Sequence, residues 1–179
     1  MINSQMKYNI ALIFLLISNI IVAQSIFDTF EENNKVKTLV VNEKMFDMMS
    51  KVKSDPNDKE MQQYFNLLKK LDKLKVYSTE DTKLGKDMRT AVSNYLKTNP
   101  LEELMRVNND KKNIKIYIKT NTNSAVVKEL LLFIEGESKK NPTVILSLIG
   151  DFYLEEISQL TDKMNLPGGN DLKEASNNK

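Results

Sequence analysis

The chain of 179 residues carries 26 basic and 24 acidic side chains and contains no histidine, cysteine or tryptophan. Histidine general bases, Ser-His and Cys-His nucleophiles and the His or Cys ligand sets of metals are thereby excluded, which leaves carboxylates, Ser-Lys pairs and oxygen-ligand cations. So even a charge balance gives no electrostatic footprint for nucleic acid, and the lack of cysteine means that no disulfide supports the fold.

The opening stretch, "MINSQMKYNIALIFLLISNIIVAQS", has one basic residue, Lys7, then an apolar run from Ile10 to Val22 broken only by Ser18 and Asn19, then the small Ala23. That is the layout of a signal peptide over 1–23, with cleavage after Ala23. The run is 13 residues long, whereas a helix crossing the hydrocarbon core needs about 20, so no membrane anchor is expected after cleavage. No cysteine stands at the cut, which excludes a lipid-modified signal. The 156 residues from Gln24 onward suffice for one domain that buries roughly two-thirds of its unfolded surface.

Phe27 and Phe30, three residues apart, predict a short opening helix. "VKTLVV" (Val36 to Val41) is β-branched and apolar, as a buried strand would be. It feeds into "NEKMFDMMSKVK", with Asn42 as N-cap and Met45, Met49 and Val52 on one helical face beside Phe46. A second helix opens at "SDPNDKEMQQYFNLLKKL", where Asp55 caps and Pro56 takes the first helical position, and Met61, Tyr64, Phe65, Leu68 and Leu71 keep helical spacing. After a short strand, "LKVYS", a long helix is predicted in "TEDTKLGKDMRTAVSNYLKTNP". Thr79 is its cap, Glu80 and Asp81 lie in its first turn, and Leu84, Met88, Val92, Tyr95 and Leu96 face inward.

From Leu101 to Asp151 the pattern predicts four sequential strands, with "NNDKK" and "GESKKNP" as hairpin turns. In "NIKIYIK", Ile114, Ile116 and Ile118 point to a covered sheet face while Lys115, Tyr117 and Lys119 point to a wet one. The last strand runs into a helix whose stripe is Leu154, Ile157, Leu160 and Met164. "LPGG" then reads as a helix exit, with Gly168 and Gly169 supplying positive φ, and 170–179 as a polar flexible tail. Together these elements predict a single α+β domain over 24–169, with a mostly antiparallel sheet of five or six strands and helices packed on it.

Several patterns invite a chemical reading, and each has a plainer structural one. "DPNDKE" (Asp55, Asn57, Asp58, Glu60) starts like a calcium loop, but Lys59 takes the fifth position and Glu60 stands where the turn glycine belongs, so a capped helix start is expected. The adjacent glutamates of "LEELM" and "LEEIS" point in different directions and cannot act as a pair. The lysines around Tyr117 form a solvated strand face rather than a nucleic-acid platform. Met45, Met48, Met49, Met61, Met88, Met105 and Met164 sit mostly on apolar stripes and are expected to fill the core rather than bind a soft metal. Gly168 and Gly169 follow a helix instead of joining a strand to one, so they form no phosphate loop.

The segments "NEKMFDMMSKV", "LKVYSTE", "YLKTNPLEELMRVNNDKKNIKIYIK", "VKELLLFIEG", "VILSLIGD" and "KMNLPGGNDLK", in this order, resemble a family of exported proteins from Gram-negative bacteria, domain of unknown function 4252. The resemblance implies that "LMRV", "NIKIYIK" and "LPGG" belong to a shared scaffold, and it carries no catalytic residues with it. No catalytic, cofactor-binding or metal site is expected, and no cofactor. The reading that follows is a non-catalytic periplasmic or secreted interaction protein whose partner is an envelope protein. The alternatives are a carrier of a small apolar ligand, which needs an apolar cavity, and a carboxylate-based hydrolase, which needs two acids converging in a cleft.

The leader reading has a direct check. N-terminal sequencing of the protein recovered from the exporting cell is expected to begin at Gln24; uncut protein in the inner membrane would contradict it.

Overall fold

The computed structural model describes residues 26–109, 112–121, 125–136 and 141–177. The predicted leader over 1–23 and the centres of the "NNDKK" and "GESKKNP" turns lie outside these residues. Within them a six-stranded, wholly antiparallel sheet is formed by β1 (Val36–Asn42), β2 (Leu71–Thr79), β3 (Glu102–Asn109), β4 (Lys112–Thr120), β5 (Val127–Glu135) and β6 (Thr143–Phe152). The spatial order is β1-β2-β6-β5-β4-β3, so the first and third strands of the sequence are the two edges. Five helices accompany the sheet: α1 (Glu43–Ser50), α2 (Lys59–Leu68), α3 (Thr82–Thr98), α4 (Ile157–Met164) and α5 (Gly169–Asn177). Short 3₁₀ turns occur at Asp28–Phe30 and Leu154–Glu156. The architecture is α+β, as the strand and helix patterns predict. No helix among the described residues is long and apolar enough to cross a membrane.

Alternation within the strands sends side chains to two separate cores. On one face Ile114, Ile116, Ile118, Leu74, Val76, Leu130, Leu132, Leu146 and Leu148 meet Phe46 of α1, Phe65 and Leu68 of α2, and Ile157 and Leu160 of α4. On the other face Tyr77, Tyr117, Leu131, Phe133 and Ile145 meet Met88, Ala91 and Val92 of α3 together with Phe27 and Phe30 of the opening turn. The second face is therefore not wet, as "NIKIYIK" suggested: Tyr117 is 9% exposed. The cause is topological. α3 must carry the chain from β2, at one side of the sheet, to the far edge β3, and its apolar stripe covers the face it crosses. Strands β5 and β6, covered on both sides, are accordingly near-continuous apolar runs, "ELLLFI" and "VILSLI".

Asn42 caps α1 as predicted, its Oδ1 accepting from Met45 N at 3.0 Å. The other two caps lie further along than expected. Asp58, not Asp55, caps α2 by accepting from Met61 N at 3.0 Å, while Asp55 closes the preceding turn by accepting from Asn57 N at 2.9 Å. Asp81, not Thr79, caps α3 through Lys83 N and Leu84 N, because Thr79 is held as the last residue of β2, paired with Val36 and Thr143. Strand β1 also departs from the buried strand predicted for it. Only Val36 and Val41 are buried along Val36–Asn42, since among the described residues nothing pairs with its outer side.

The C-terminal reading needs the largest correction. α4 ends at Asn165, whose left-handed backbone (φ 49°, ψ 48°) does what a glycine commonly does at a helix exit. Gly168 (φ +77°) lies beyond it, against the sheet: a Cβ there would stand 2.5 Å from Leu132 Cδ2. Gly169 then opens α5, so residues 170–177 are a packed helix rather than a free polar tail. Its Leu172 is 1% exposed and joins the first core beside Leu160 and Leu166. One apolar side chain within a polar sequence decides the placement, because each fully buried leucine contributes roughly 2 kcal/mol.

Thermal denaturation tests this packing. Ile116→Asp is expected to cost several kcal/mol, while Lys115→Asp stays within about 1. Leu172→Ala is expected to cost about 2–4 kcal/mol, which a free tail would not show.

Candidate functional site

The chemistry-bearing residues that come together lie on the second face. Alternation along β2 places Lys75, Tyr77 and Thr79 on this face. Lys75, in the second strand of the sheet, is 9% exposed. Its ammonium donates to Asp28 Oδ1 at 2.5 Å and Glu31 Oε1 at 2.7 Å, both from the opening turn. Tyr77 Oη donates to the same Glu31 oxygen at 3.0 Å. Around this polar seam Phe27 packs on Tyr95 and Tyr77, with ring centroids 5.0 and 6.4 Å apart, and Phe30 meets the Tyr77 ring edge-on at 6.2 Å. Tyr95 of α3 in turn donates to Glu129 Oε1 of β5 at 2.5 Å.

Burial by itself would lower the Lys75 pKa, but hydrogen bonds and charge from Asp28 and Glu31 outweigh it and raise the value above the ordinary 10.5. Burial, then Glu31, pushes the Tyr77 phenol far above 10, and burial, then Glu129, does the same to Tyr95. Ser147 of β6 is directly opposite Lys75, an arrangement that suggests a Ser-Lys nucleophile. A lysine base must be neutral, however, whereas two carboxylates hold this one protonated, and among the described residues no hydrogen bond joins it to Ser147. The cluster is therefore built to fasten the opening turn to the sheet.

The patterns singled out in the sequence are dispersed. Asp55 and Asp58 are spent on backbone N–H groups, and among the described residues no group of three acidic side chains converges to hold a metal ion. The paired glutamates separate: Glu103 takes a two-pronged pair with Arg106 at 2.6 and 2.8 Å, which lowers its pKa, and Glu156 binds Lys70 at 2.7 Å and Tyr153 N at 2.9 Å. The glycine pair borders a cavity of about 370 Å³ also lined by Asp162 and Asp171, which oppose an anion. A cavity of about 240 Å³ between α3 and β5–β6 is lined by Thr82, Lys86, Arg89, Glu135 and Thr143. A third, of about 390 Å³, has Lys35, Lys37, Glu80 and Asp81 on its walls. None of the three is lined mainly by large apolar side chains.

The feature that sequence reasoning missed is on the surface. Leu39 (41% exposed), Val40 (47%), Met45 (50%), Met48 (59%) and Val52 (61%) are five of the seven exposed large apolar residues among the described residues. Leu39 and Val40 lie on the strand β1, Met45 and Met48 on the helix α1 that follows it, and Val52 two residues past the end of α1. Met45 and Met48 are thus not core filler. At 100° per residue, Phe46 marks the inner face of α1, Met49 lies about 60° from it, and Met45 and Met48 continue round the same side to about 160°. An apolar arc this wide was the available signal, since one buried face needs only about 100°. Leu39 points to the same side of the sheet as α1, and Val40 to the side of the opening turn.

The family is settled by a match over residues 30–160, from the opening turn through β6 and into α4, to the model described as "Domain of unknown function (DUF4252)". The chain belongs to this family. No curated protein and no solved structure matches it. The matched span contains the β1–α1 surface and, of the fastened turn, Phe30 and Glu31, whereas Phe27 and Asp28 precede it.

The pH dependence of stability follows from the raised groups. A group whose folded pKa exceeds its unfolded one contributes fully below the unfolded value and loses that contribution as pH rises through the folded one. Lys75, Tyr77 and Tyr95 all have this sign. Melting temperature is therefore expected to fall as pH rises above about 10, and Tyr77→Phe is expected to blunt the fall. An unchanged alkaline slope in Tyr77→Phe would contradict the role assigned to the cluster.

Proposed function

We propose that this chain is an exported, non-catalytic interaction protein of the cell envelope, and that it meets a protein partner through the β1–α1 surface. The observation that carries the reading is the gathering, among the described residues, of five of the seven exposed large apolar side chains into the stretch from Leu39 to Val52. Isolated exposed apolar residues are ordinary, whereas a contiguous group on a strand edge and its adjoining helix is the usual mark of a contact surface. The short apolar run at the N-terminus supports export. Support for a non-catalytic role comes from the ionisable cluster itself, where carboxylates, lysine and tyrosine satisfy one another. The cavities described above, lined by few large apolar side chains, give the apolar-ligand carrier no comparable support.

Binding by the wild-type protein and by Leu39→Asp/Met48→Asp, measured against solubilised native envelope, tests the reading. Both positions are solvent-facing, so the double variant is expected to melt within about 1 kcal/mol of wild type. It is expected to retain bound protein at least about tenfold less well. Equal retention by a folded variant would move the partner surface elsewhere.

A further inference from the structure

The two edges of the sheet are not alike. Edge strand β3 carries Glu102, Glu103 and Arg106, and its pairing with β4 is interrupted by a register shift between Glu103 and Met105. Charges and bulges of this kind are how natural sheets keep an edge from pairing with another chain. Edge strand β1 has neither device in comparable measure. Its pairing with β2 is regular over all seven residues, and its one charged residue is Lys37 near the N-terminal end. Its middle is the exposed pair Leu39 and Val40. The open edge is thus flat, apolar and long enough to accept a strand.

The order of residues along this edge says which strand fits. From Lys35 to Glu43 it reads "KVKTLVVNE", basic at one end and acidic at the other. Antiparallel pairing of the segment with a copy of itself brings the basic end of each against the acidic end of the other. A twofold axis normal to the sheet keeps each face with its own kind, so only residues of one face oppose each other. Centred on Leu39, the midpoint of Val36–Asn42, such an axis overlaps all seven residues. Leu39 then faces the second copy's Leu39, Thr38 faces its Val40, and Lys37 faces its Val41 with Glu43 diagonally next. Lys37 has only a 3.5 Å contact with Glu80 and its side chain is 84% exposed, so it is available for this diagonal. Helix α1, with its exposed Met45 and Met48, packs on the face of the sheet to which Leu39 points.

We propose that the occupant of the β1–α1 surface is a second copy of this chain, paired β1 to β1 in antiparallel register about Leu39, so that two six-stranded sheets become one continuous sheet. This rests on the reading of that surface as a protein contact and names its partner.

The absence of cysteine from the chain makes the register directly measurable. Opposed residues of an antiparallel pair have Cα atoms about 4.5–5.5 Å apart, within disulfide reach. The full chain, expressed with its own N-terminal segment and recovered as the cell processes it, is the material for the test. Leu39→Cys is expected to form a covalent dimer with itself under mild oxidation. Thr38→Cys is expected to crosslink poorly alone but well when mixed with Val40→Cys, and Arg106→Cys on the other edge to form no covalent dimer. In sedimentation equilibrium the wild-type protein is expected to dimerise reversibly, and Leu39→Lys to raise the dissociation constant at least about tenfold by opposing two ammonium groups at the axis. Melting at low protein concentration shows that each variant is folded.

Crosslinking strongest for Val40→Cys with itself would overturn the register, and a dimer indifferent to Leu39→Lys would overturn the surface. A chain monomeric throughout, whose retention of envelope protein is still lost in Leu39→Asp/Met48→Asp, would overturn self-pairing and leave the proposed function standing. A monomer whose retention is indifferent to that variant would overturn both.

Discussion

The pairing of Lys75 with Asp28 and Glu31 is the interaction on which the second half of the fold depends. A lysine on a strand that is second from the edge, and covered by the opening turn, is costly unless its charge is met, because desolvation penalises the ion. The two carboxylates come from a 3₁₀ turn of three residues, Asp28 within it and Glu31 as its C-cap, too short to hold itself together. Neither part is stable on its own terms. Joined, they bring Phe27 and Phe30 down onto Tyr77 and Tyr95, and these rings close the end of the second core that α3 leaves open. The hydrogen bond from Tyr77 to Glu31 fixes which carboxylate oxygen faces the ring. The charged contact thus sets position, and the aromatic burial around it supplies most of the stabilisation.

The same fastening shapes the edge. Residues 28–35 are held by Lys75, by Tyr77 and by the bond from Thr79 Oγ1 to Lys35 O at 2.9 Å. The chain therefore enters β1 at a fixed place and in fixed register with β2. An edge strand anchored in this way cannot curl away from the sheet to hide its outer side. Leu39 and Val40 stay presented, and α1, starting at the next residue after Asn42, holds its methionines alongside. Methionine suits such a surface, because its unbranched, polarizable side chain adapts to a partner at small entropic cost.

How much of this the sequence revealed depended on whether the deciding contact was local. Strand β4 was legible because strict alternation of Ile114, Ile116 and Ile118 has one physical meaning, and the α+β class followed from four such strands in a row. The Asn42 cap was legible because its partner, Met45 N, is three residues away. The caps at Asp58 and Asp81 were misplaced because Asp55 and Thr79 offer the same chemistry a turn earlier, and only strand pairing and turn closure, both non-local, withdraw them. Asn165 hid the end of α4 in a similar way, since Gly168 was the more familiar residue for the conformation that Asn165 adopts. Leu172 gave no local sign of burial: its partners lie across α4 and the sheet.

Strand order is the remaining illegible quantity, and the functional surface turns on it. "VKTLVV" has the composition of a buried strand, and it would be one if a seventh strand paired with it. The chain instead sends β6 back between β2 and β5, so β1 is left outermost and its composition becomes an exposure. The Lys75 cluster was hidden for the same reason, because Asp28, Glu31 and Lys75 are separated by more than forty residues and meet only once the sheet exists. Composition therefore states what a strand can bury, whereas topology states whether anything within the chain is there to bury it. For β1 the two disagree, and a strand built for burial but left without a cover among the described residues is the physical basis for expecting one from outside.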